Sequence, residues 1–283
     1  MSLKLDKISY TYEPGTPMEA AGLKEVSLEI FPGEFFGLIG HTGSGKSTLI
    51  QHMNGLLAPQ SGTVSWKGED IHAKGFDRRA FRGKVGLVFQ YPEYQLFEED
   101  VLSDVCFGPK NQGLDRREAE ERARRALELV ALPEEYYSHS PFELSGGQKR
   151  RAAIAGVLAM QPEILILDEP TAGLDPRGRE ELLDLLTRLK AQGMGIVTVS
   201  HSMEDMAARA DRIGVMDRGE LVMLGTPGEV FVRRKELEAM GLAVPEVTRI
   251  LGLLQERGFA LPGKALDLNG AVQEILTEFR QIS

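Results

Sequence analysis

The sequence predicts an α/β fold in which helices cover a parallel sheet. Apolar runs of strand length alternate with helical patterns over most of the chain, as in folds of this class. One run, ILIL at 164–167, is apolar at every position, which is typical of a strand buried on both faces. A glycine-rich segment, GHTGSGKS at 40–47, separates a predicted strand from a predicted helix.

The individual elements follow from the hydrophobic pattern in chain order. Strands are predicted at 3–12, 22–30, 34–39, 62–67, 85–89, 164–167, 195–199 and 212–216. The first of them alternates apolar and polar residues and is interpreted as an edge strand. Helices are predicted at 47–57, 116–130, 145–160, 177–192 and 203–210. The stretch 91–160 lacks the strand–helix alternation and is predicted to be an inserted helical subdomain, and the chain beyond 227 turns helical again.

Composition narrows the class of protein. The 283 residues carry a formal net charge of −9, which argues against a nucleic-acid binder, because such proteins need a basic face. The single cysteine, Cys106, cannot form an intramolecular disulfide and fits a reducing compartment. No window approaches ~20 uninterrupted apolar residues, and the N-terminus lacks the apolar core of a signal peptide. We therefore expect any membrane role to depend on a partner.

The glycine-rich segment matches G-x-x-x-x-G-K-[ST] in the strand-to-helix context that this motif requires. Its glycines allow backbone N–H groups to converge on phosphate oxygens, and the following helix adds the positive end of its dipole. Lys46 is predicted to contact the β- and γ-phosphates of ATP, and Ser47 to bind Mg²⁺. A glycine-rich turn with a surface lysine is the alternative, and the context argues against it.

Two acids, Asp168 and Glu169, directly follow the ILIL strand. The carboxyl end of a parallel strand is where ligands bind in such sheets. Asp168 would hold Mg²⁺ through water, and Glu169 is free to act as general base on an attacking water. An exposed acidic pair before Pro170 is the alternative, which the apolar strand and the upstream phosphate loop make less attractive.

A second candidate anion site is LSGGQ at 144–148, which opens a predicted helix. A turn with a serine cap is an equally good interpretation of the local pattern. One ATP needs only one phosphate loop, however, so a second site is explained if it serves a nucleotide held by another subunit. Gln90 and His201 follow two other strands of the same sheet, where they could reach Mg²⁺ and the γ-phosphate, although each signal alone is weak.

The order of these motifs resembles the ABC ATPases over nearly the whole chain. The motifs are GHTGSGKST, Gln90, LSGGQ, ILILDEP, AGLD at 172–175 and His201. The sequence between these motifs is similar to that of the energy-coupling factor (ECF) transporter ATPases. Two segments, PGTP (14–17) and GPKN (108–111), resemble the second of that family's two paralogous ATPases. The resemblance implies a P-loop NTPase with a RecA-like parallel-sheet core, an N-terminal antiparallel β subdomain, the inserted helical subdomain and a short helical C-terminal extension.

Roles for individual residues follow from the resemblance. It implies that Lys46, Gln90, Glu169 and His201 are catalytic, with Glu169 as base and His201 as γ-phosphate sensor, and that Ser47, Gln90 and Asp168 bind Mg²⁺. Tyr12 is expected to stack on adenine, with Tyr10 as the rival. The remaining nucleotide contacts are the phosphate loop (Gly40, His41, Thr42, Gly43, Ser44, Gly45, Lys46, Ser47 and Thr48), the trans site (Ser145, Gly146, Gly147 and Gln148) and the subunit link Asp175.

The resemblance also implies an assembly. The expected domains are the ATPase, 1–235, and a C-terminal helical extension, 236–283, which is a candidate dimerisation element. The implied partners are a homologous ATPase, as a heterodimer with homodimerisation left open, a transmembrane coupling protein and a substrate-binding membrane protein. The chain would lie at the cytoplasmic face of the membrane and power import of vitamins or transition-metal ions. The segment YPEYQLF at 91–97, with its aromatics and Leu96, is predicted to dock a membrane partner.

Other functions fit the sequence less well. ABC ATPases of DNA repair or ribosome function usually carry two cassettes, coiled-coil insertions or zinc insertions, whereas this chain has one cassette, no heptad run and one cysteine. A P-loop kinase or GTPase would have no use for LSGGQ. We therefore expect a transporter ATPase.

Overall fold

The structure, a computed structural model, describes residues 2–282. In chain order the strands are β1 Leu3–Tyr12, β2 Ala20–Ile30, β3 Phe35–Gly40, β4 Ser61–Trp66, β5 Glu69–Asp70, β6 Val85–Val88, β7 Ile164–Asp168, β8 Gly195–Val199, β9 Arg212–Asp217 and β10 Glu220–Gly225. The helices are α1 Lys46–Met53, α2 Arg78–Lys84, α3 Val101–Asn111, α4 Arg116–Leu129, α5 Gly146–Leu158, α6 Pro176–Ala191, α7 Met203–Arg209, α8 Pro227–Phe231, α9 Arg234–Ala239, α10 Glu246–Glu256 and α11 Leu268–Ile282.

The central sheet has the strand order β10-β9-β3-β8-β7-β6. Its pairs are parallel except for β10, which runs antiparallel to β9. Every residue of β7 is buried, because successive side chains enter different hydrophobic clusters. Leu165 and Leu167 pack with the inserted helices and α6, whereas Ile164 and Ile166 pack with α1 and the second sheet. The predicted fold class is confirmed.

The second sheet is antiparallel and has the order β2-β1-β4-β5. The interpretation of β1 as an edge strand is wrong, since it is hydrogen-bonded to β2 on one side and to β4 on the other. Its buried Leu3, Leu5 and Ile8 face the core while their neighbours are largely exposed. Alternation thus reports a half-buried face and says nothing about whether both strand edges are paired.

Helices α3, α4 and α5 form a cluster inserted between β6 and β7. Ala119, Ala123 and Ala126 repeat along one face of α4, and this face is buried against the other two helices. The sequence did not predict α3, which contains Pro109 and begins after the N-cap Asp100. This proline lies in the last turn of α3, which ends two residues later, at Asn111.

Beyond β10 the chain is helical, as the sequence predicted. The expected boundary at 235 falls within α9, and Leu237, Leu242 and Val244 belong to the same hydrophobic cluster as the central sheet. A separate small cluster of Leu251, Leu261 and Ala271 joins α10 to α11. Within residues 2–282, no helix is long and apolar enough to cross a membrane.

Candidate functional site

The glycine-rich loop joins the end of β3 to the start of α1, and the close packing around it requires glycine. Gly45 has a φ of 103°, in the left-handed region, and a Cβ there would lie 2.6 Å from the carbonyl oxygen of Gly22. At Gly40 a Cβ would lie 2.4 Å from the carbonyl oxygen of Met216. No side chain among the described residues caps α1, so its first N–H groups are left for another acceptor.

Lys46, the first residue of α1, lies almost fully buried inside this loop. Its Nζ donates hydrogen bonds to the carbonyl oxygens of Gly40, at 2.7 Å, and His41, at 2.9 Å. Burial lowers the pKa of Lys46, while Glu169 and Asp168 act in the opposite direction. The ammonium group is therefore held within the loop and faces two carboxylates.

The predicted Mg²⁺ ligands Ser47 and Asp168 are in direct contact. Ser47 Oγ donates to Asp168 Oδ2 at 3.2 Å. Burial raises the pKa of Asp168, and the hydrogen bond from Ser47 and the charge of Lys46 partly oppose this rise. A hydroxyl and a carboxylate at the end of a buried strand form a donor set that suits Mg²⁺ once phosphate oxygens and water complete it.

Glu169 occupies a strained position immediately after β7. Its φ is 48°, in the left-handed region that non-glycine residues rarely adopt, and its N–H donates to the Val199 carbonyl oxygen at 3.0 Å. Glu169 Oε1 lies 3.3 Å from His201 Nε2. Burial raises the pKa of Glu169, whereas the nearby His201 lowers it and Asp168 raises it further. A half-buried carboxyl with a raised pKa next to an imidazole can accept a proton.

Gln90 and His201 lie at the same edge of the sheet as Glu169. Val88 pairs with Leu167 and Asp168 with Val199, so all three residues lie one or two positions beyond the ends of neighbouring strands. Gln90 and His201 are exposed, whereas Glu169 is half-buried. The structure thus brings the predicted catalytic residues to one edge.

Tyr12 and Tyr10, the two candidates for adenine stacking, differ in their surroundings. The Tyr12 hydroxyl lies 3.0 Å from Thr48 Oγ1, in the first turn of α1, and its ring is partly exposed. Tyr10 packs edge-on against Tyr12 and His52, with ring centroids 4.9 and 5.0 Å apart. Of these two rings, Tyr12 therefore has the freer face beside the phosphate loop.

The LSGGQ residues belong to a different part of the molecule, the start of α5. Ser145 and Gln148 form a capping box, in which the Ser145 side chain accepts from the Gln148 N–H and Gln148 Oε1 accepts from the Ser145 N–H at 2.9 Å. Apart from its chain neighbours and its own helix backbone, a Cβ on Gly146 or Gly147 would meet no atom within 4 Å. Asp175 caps α6 by accepting from the Gly178 N–H at 2.7 Å.

Ser145, Gly147, Gln148 and Asp175 line a cleft of about 660 Å³ between α5 and α6. The phosphate loop lies outside this lining. The structure therefore divides the predicted nucleotide contacts into two groups within one chain, one on the central sheet and one on the inserted helices and α6.

Sequence reasoning missed two residues at this site. Asp217 ends β9 and holds His41, with 2.8 Å between Asp217 Oδ1 and His41 Nε2. The strand-end pattern that singled out Asp168 could have found it. Arg150 is a buried arginine two residues after LSGGQ, and its contacts cross between segments far apart in sequence, so no local pattern signals it.

The aromatic segment at 91–97 agrees only partly with its prediction. Tyr91, Tyr94 and Phe97 are exposed, and Tyr94 is the most open at 84%. Leu96, expected to be exposed, is buried in the large hydrophobic cluster instead. The exposed surface is therefore aromatic, and Phe107 of α3 extends it by packing edge-on against Phe97.

A phosphate loop after β3, an acid at the end of β7 and a second acid directly after it define the nucleotide-binding domain of a P-loop ATPase. The family model described as ABC transporter matches residues 23–172. The energy-coupling factor transporter ATP-binding protein EcfA2 of Symbiobacterium thermophilum is 54% identical over 275 residues, 97% of this chain and 96% of that protein.

Solved structures agree with this relationship. The structure of cbiO1 from Clostridium perfringens, described as part of the ABC transporter complex cbiONQ, matches with a TM-score of 0.73 at 37% identity, over 89% of this chain and 98% of that one. The dimeric post-hydrolysis structure of the ATP-binding cassette MJ0796, bound to ADP and Pi, matches with a TM-score of 0.72 at 31% identity, over 80% and 99%.

The chain belongs to the ABC transporter family, and within it to the ATP-binding subunits of energy-coupling factor transporters. It is an ATPase, as ABC ATP-binding proteins are. The family resemblance and the ATPase activity predicted from the sequence are confirmed.

Proposed function

We propose that this chain hydrolyses Mg²⁺–ATP at the edge of its central sheet and thereby powers import of vitamins or transition-metal ions through membrane partners. The observation that carries the proposal is the position of Glu169, 3.3 Å from His201 and next in sequence to Asp168. In this proposal the chain lies at the cytoplasmic face of the cell membrane. Its partners do not include nucleic acid, because the net charge of −9 disfavours binding to a phosphate backbone.

The phosphate groups of ATP would bind in the loop from Gly40 to Thr48. The loop's N–H groups and the uncapped start of α1 supply donors, and Lys46 supplies a positive charge that is already partly desolvated. Ser44 is fully buried, and its hydroxyl has no hydrogen-bond partner among the described residues. A bound anion would satisfy donors of this kind.

Ser47 and Asp168 would hold Mg²⁺ together with Gln90. The ion supplies charge neutralisation for the phosphates. Among the described residues no group of three or more His, Cys, Asp or Glu forms a preformed metal cage. This fits Mg²⁺, which is bound through one or two carboxylates and substrate phosphates more often than by an all-protein cage.

Glu169 would accept a proton from the water that attacks the γ-phosphate. Its raised pKa makes it a stronger base than an exposed glutamate. His201, on the neighbouring strand, would contact the γ-phosphate and keep the carboxylate oriented. The charge developing on the phosphoryl oxygens would be stabilised by Lys46.

Ser145, Gly146, Gly147, Gln148 and Asp175 would act on ATP held by a partner ATPase. Their open surface at the start of α5, apart from the chain's own phosphate loop, supports this assignment. The ATPase partner is proposed to be a paralogue, with a second copy of this chain as the alternative. Two ATP molecules would then lie in the dimer interface, so closure would require nucleotide.

Tyr12 is proposed to stack on adenine, because its exposed ring lies beside Thr48 at the phosphate loop. The exposed aromatic surface of Tyr91, Tyr94, Phe97 and Phe107 is proposed to dock the transmembrane coupling protein, which would join this chain to a substrate-binding membrane protein.

The C-terminal residues 236–283 are proposed to contribute to dimerisation. Leu268, Val272 and Leu276 recur at every fourth position of α11 and are exposed. An apolar stripe of this spacing is typical of a helix face that packs against a partner.

Purification of the chain from membranes, with identification of the proteins that accompany it, tests the proposed function. We expect a second ATPase and two kinds of membrane protein, and substrate uptake by the reconstituted complex that requires Mg²⁺ and ATP. Recovery with ribosomes or DNA, without membrane proteins, would favour the alternative class of ABC ATPase.

A further inference from the structure

The buried side chain of Arg150 links the start of α5, the aromatic segment 91–97 and the turn that follows Glu169. It lies in the second turn of α5, five residues after Ser145, and is 4% exposed. A fully charged guanidinium is rarely buried unless every donor has a partner. Its partners therefore indicate what holds it there.

One side of the guanidinium binds Glu93, in the short 3-10 helix Pro92–Gln95 of the aromatic segment. Arg150 Nη2 donates to Glu93 Oε1 at 3.1 Å, and Arg150 Nε donates to Glu93 Oε2 at 3.3 Å. The Glu93 side chain is only 18% exposed. This two-point contact fixes both the position and the orientation of the carboxylate.

The other side of the guanidinium binds the turn that follows Glu169. Arg150 Nη1 donates to the Pro170 carbonyl oxygen at 3.3 Å and also to the Ala172 carbonyl oxygen. The Ala172 N–H in turn donates to the Glu169 carbonyl oxygen at 3.2 Å. The strained backbone of Glu169 is thus connected to α5 through one side chain.

This arrangement makes the three segments mechanically dependent on one another. If α5 moves relative to the central sheet, it must carry the turn after Glu169 and Glu93 with it, or break charge-assisted hydrogen bonds in a poorly hydrated site. A lysine could not replace Arg150, because an ammonium group lacks the planar fork that binds Glu93 and both carbonyl groups together.

We infer that Arg150 is a positioning residue that couples the start of α5 and the 91–97 segment to the catalytic placement of Glu169. The inference rests on the proposed roles of Glu169 as base and of the exposed aromatic surface as docking site. In this inference, Arg150 and Glu93 transmit the position of the docked membrane partner to Glu169, the proposed proton acceptor. Neither Arg150 nor Glu93 would touch ATP.

The test compares Arg150→Lys, Glu93→Gln and the double variant in the assembled transporter. Arg124→Met is the control, because Arg124 of α4 also binds two glutamates, Glu120 and Glu134, but is half-exposed and does not contact the catalytic turn. For each variant, kcat and KM for ATP are measured with and without the membrane subunits, and the folded fraction is followed by denaturant unfolding.

We expect Arg150→Lys to lower kcat roughly 10- to 100-fold, the scale of a small misplacement of a catalytic group, with little change in KM. Glu93→Gln should lower the stimulation of turnover by the membrane subunits more than the turnover without them. The double variant should lose no more than Arg150→Lys alone, because both changes break one network. Arg124→Met should retain normal kcat.

An unchanged kcat in Arg150→Lys would overturn the inference, as would a loss that only follows the folded fraction. Equal stimulation of Glu93→Gln and the unaltered protein by the membrane subunits would overturn the link to the docking surface. Glu169→Gln in the same complex tests the proposed base separately. If that variant retains normal turnover, the proposed mechanism itself fails, whatever Arg150 does.

Discussion

Replacement of Glu169 by glutamine removes the proposed proton acceptor and little else. The amide keeps the volume of the carboxylate, and the hydrogen bond from the residue's N–H to the Val199 carbonyl oxygen involves only the backbone. Lys46 and Ser47 lie on another element and keep their contacts. Loss of a general base is worth roughly 10²–10⁴-fold in rate, so we expect kcat to fall by that factor while ATP still binds.

The pH dependence of turnover separates a lost base from a misfolded site. The base must be deprotonated, so the rate of the unaltered protein should fall as the pH drops through the raised pKa of Glu169. Glu169→Gln should lack this acid limb and show a low rate that varies little over the same range. The assay is single-turnover ATP hydrolysis in the assembled complex, with nucleotide binding measured in parallel.

We expect Glu169→Gln to be more stable against unfolding than the unaltered protein, although its ATPase activity is lower. Burial raises the pKa of Glu169, so the folded state binds its proton more tightly than the unfolded state does. The group therefore favours folding at low pH, and this contribution is lost as the pH rises from the ordinary glutamate range through the raised pKa. A neutral glutamine avoids the burial of a charge, and Glu169→Gln should resist denaturant better at neutral pH. Near-normal turnover in this variant would refute the assignment of Glu169 as base.

Three further predictions concern the nucleotide contacts and the docking surface. Gly147→Asp should block dimer closure by placing a carboxylate near the γ-phosphate of the ATP held by the partner. When the partner lacks its equivalent of Lys46, both changes fall on one shared site, so the loss of ATPase activity should be smaller than when both changes lie in one chain and damage both sites. Equal residual rates would contradict action in trans. Tyr12→Ala should weaken ATP binding roughly 5- to 100-fold, the scale of one lost stacking contact, whereas Tyr10→Leu, which also removes an aromatic ring, should bind ATP normally, as fluorescent-nucleotide titration would reveal. Tyr94→Glu should uncouple ATP hydrolysis from transport while ATP binding is retained. Normal substrate uptake by vesicles that contain the Tyr94→Glu complex would place the docking surface elsewhere.

Local patterns in the sequence predicted much of the candidate site. The spacing of Gly40, Gly45 and Lys46 between an apolar strand and a helix is a property of consecutive residues, so no knowledge of the fold was needed. Asp168 and Glu169 could be placed because parallel strands present their carboxyl ends at one edge. The structure brings these groups together as expected, with Ser47 Oγ 3.2 Å from Asp168 Oδ2.

Helix boundaries were predicted well where the sequence places a capping residue at the boundary and less well elsewhere. Ser145 caps α5, whose start was predicted within one residue. The helix predicted at 47–57 ends earlier, at Met53, because Asn54 and Gly55 terminate it and Gly55 has a φ of 70°. Helix α3 was not predicted, because a proline such as Pro109 normally indicates the end of a helix.

The sequence alone thus determined the nucleotide chemistry and the alternation of strands and helices, because both depend on residues close together in the chain. Only the tertiary structure decided that β1 is an inner strand, that Leu96 is buried and that Arg150 joins Glu93 to the turn after Glu169. Strand order, burial and such bridges depend on which distant segments pack together, and this packing is set by the whole hydrophobic core and not by any local pattern.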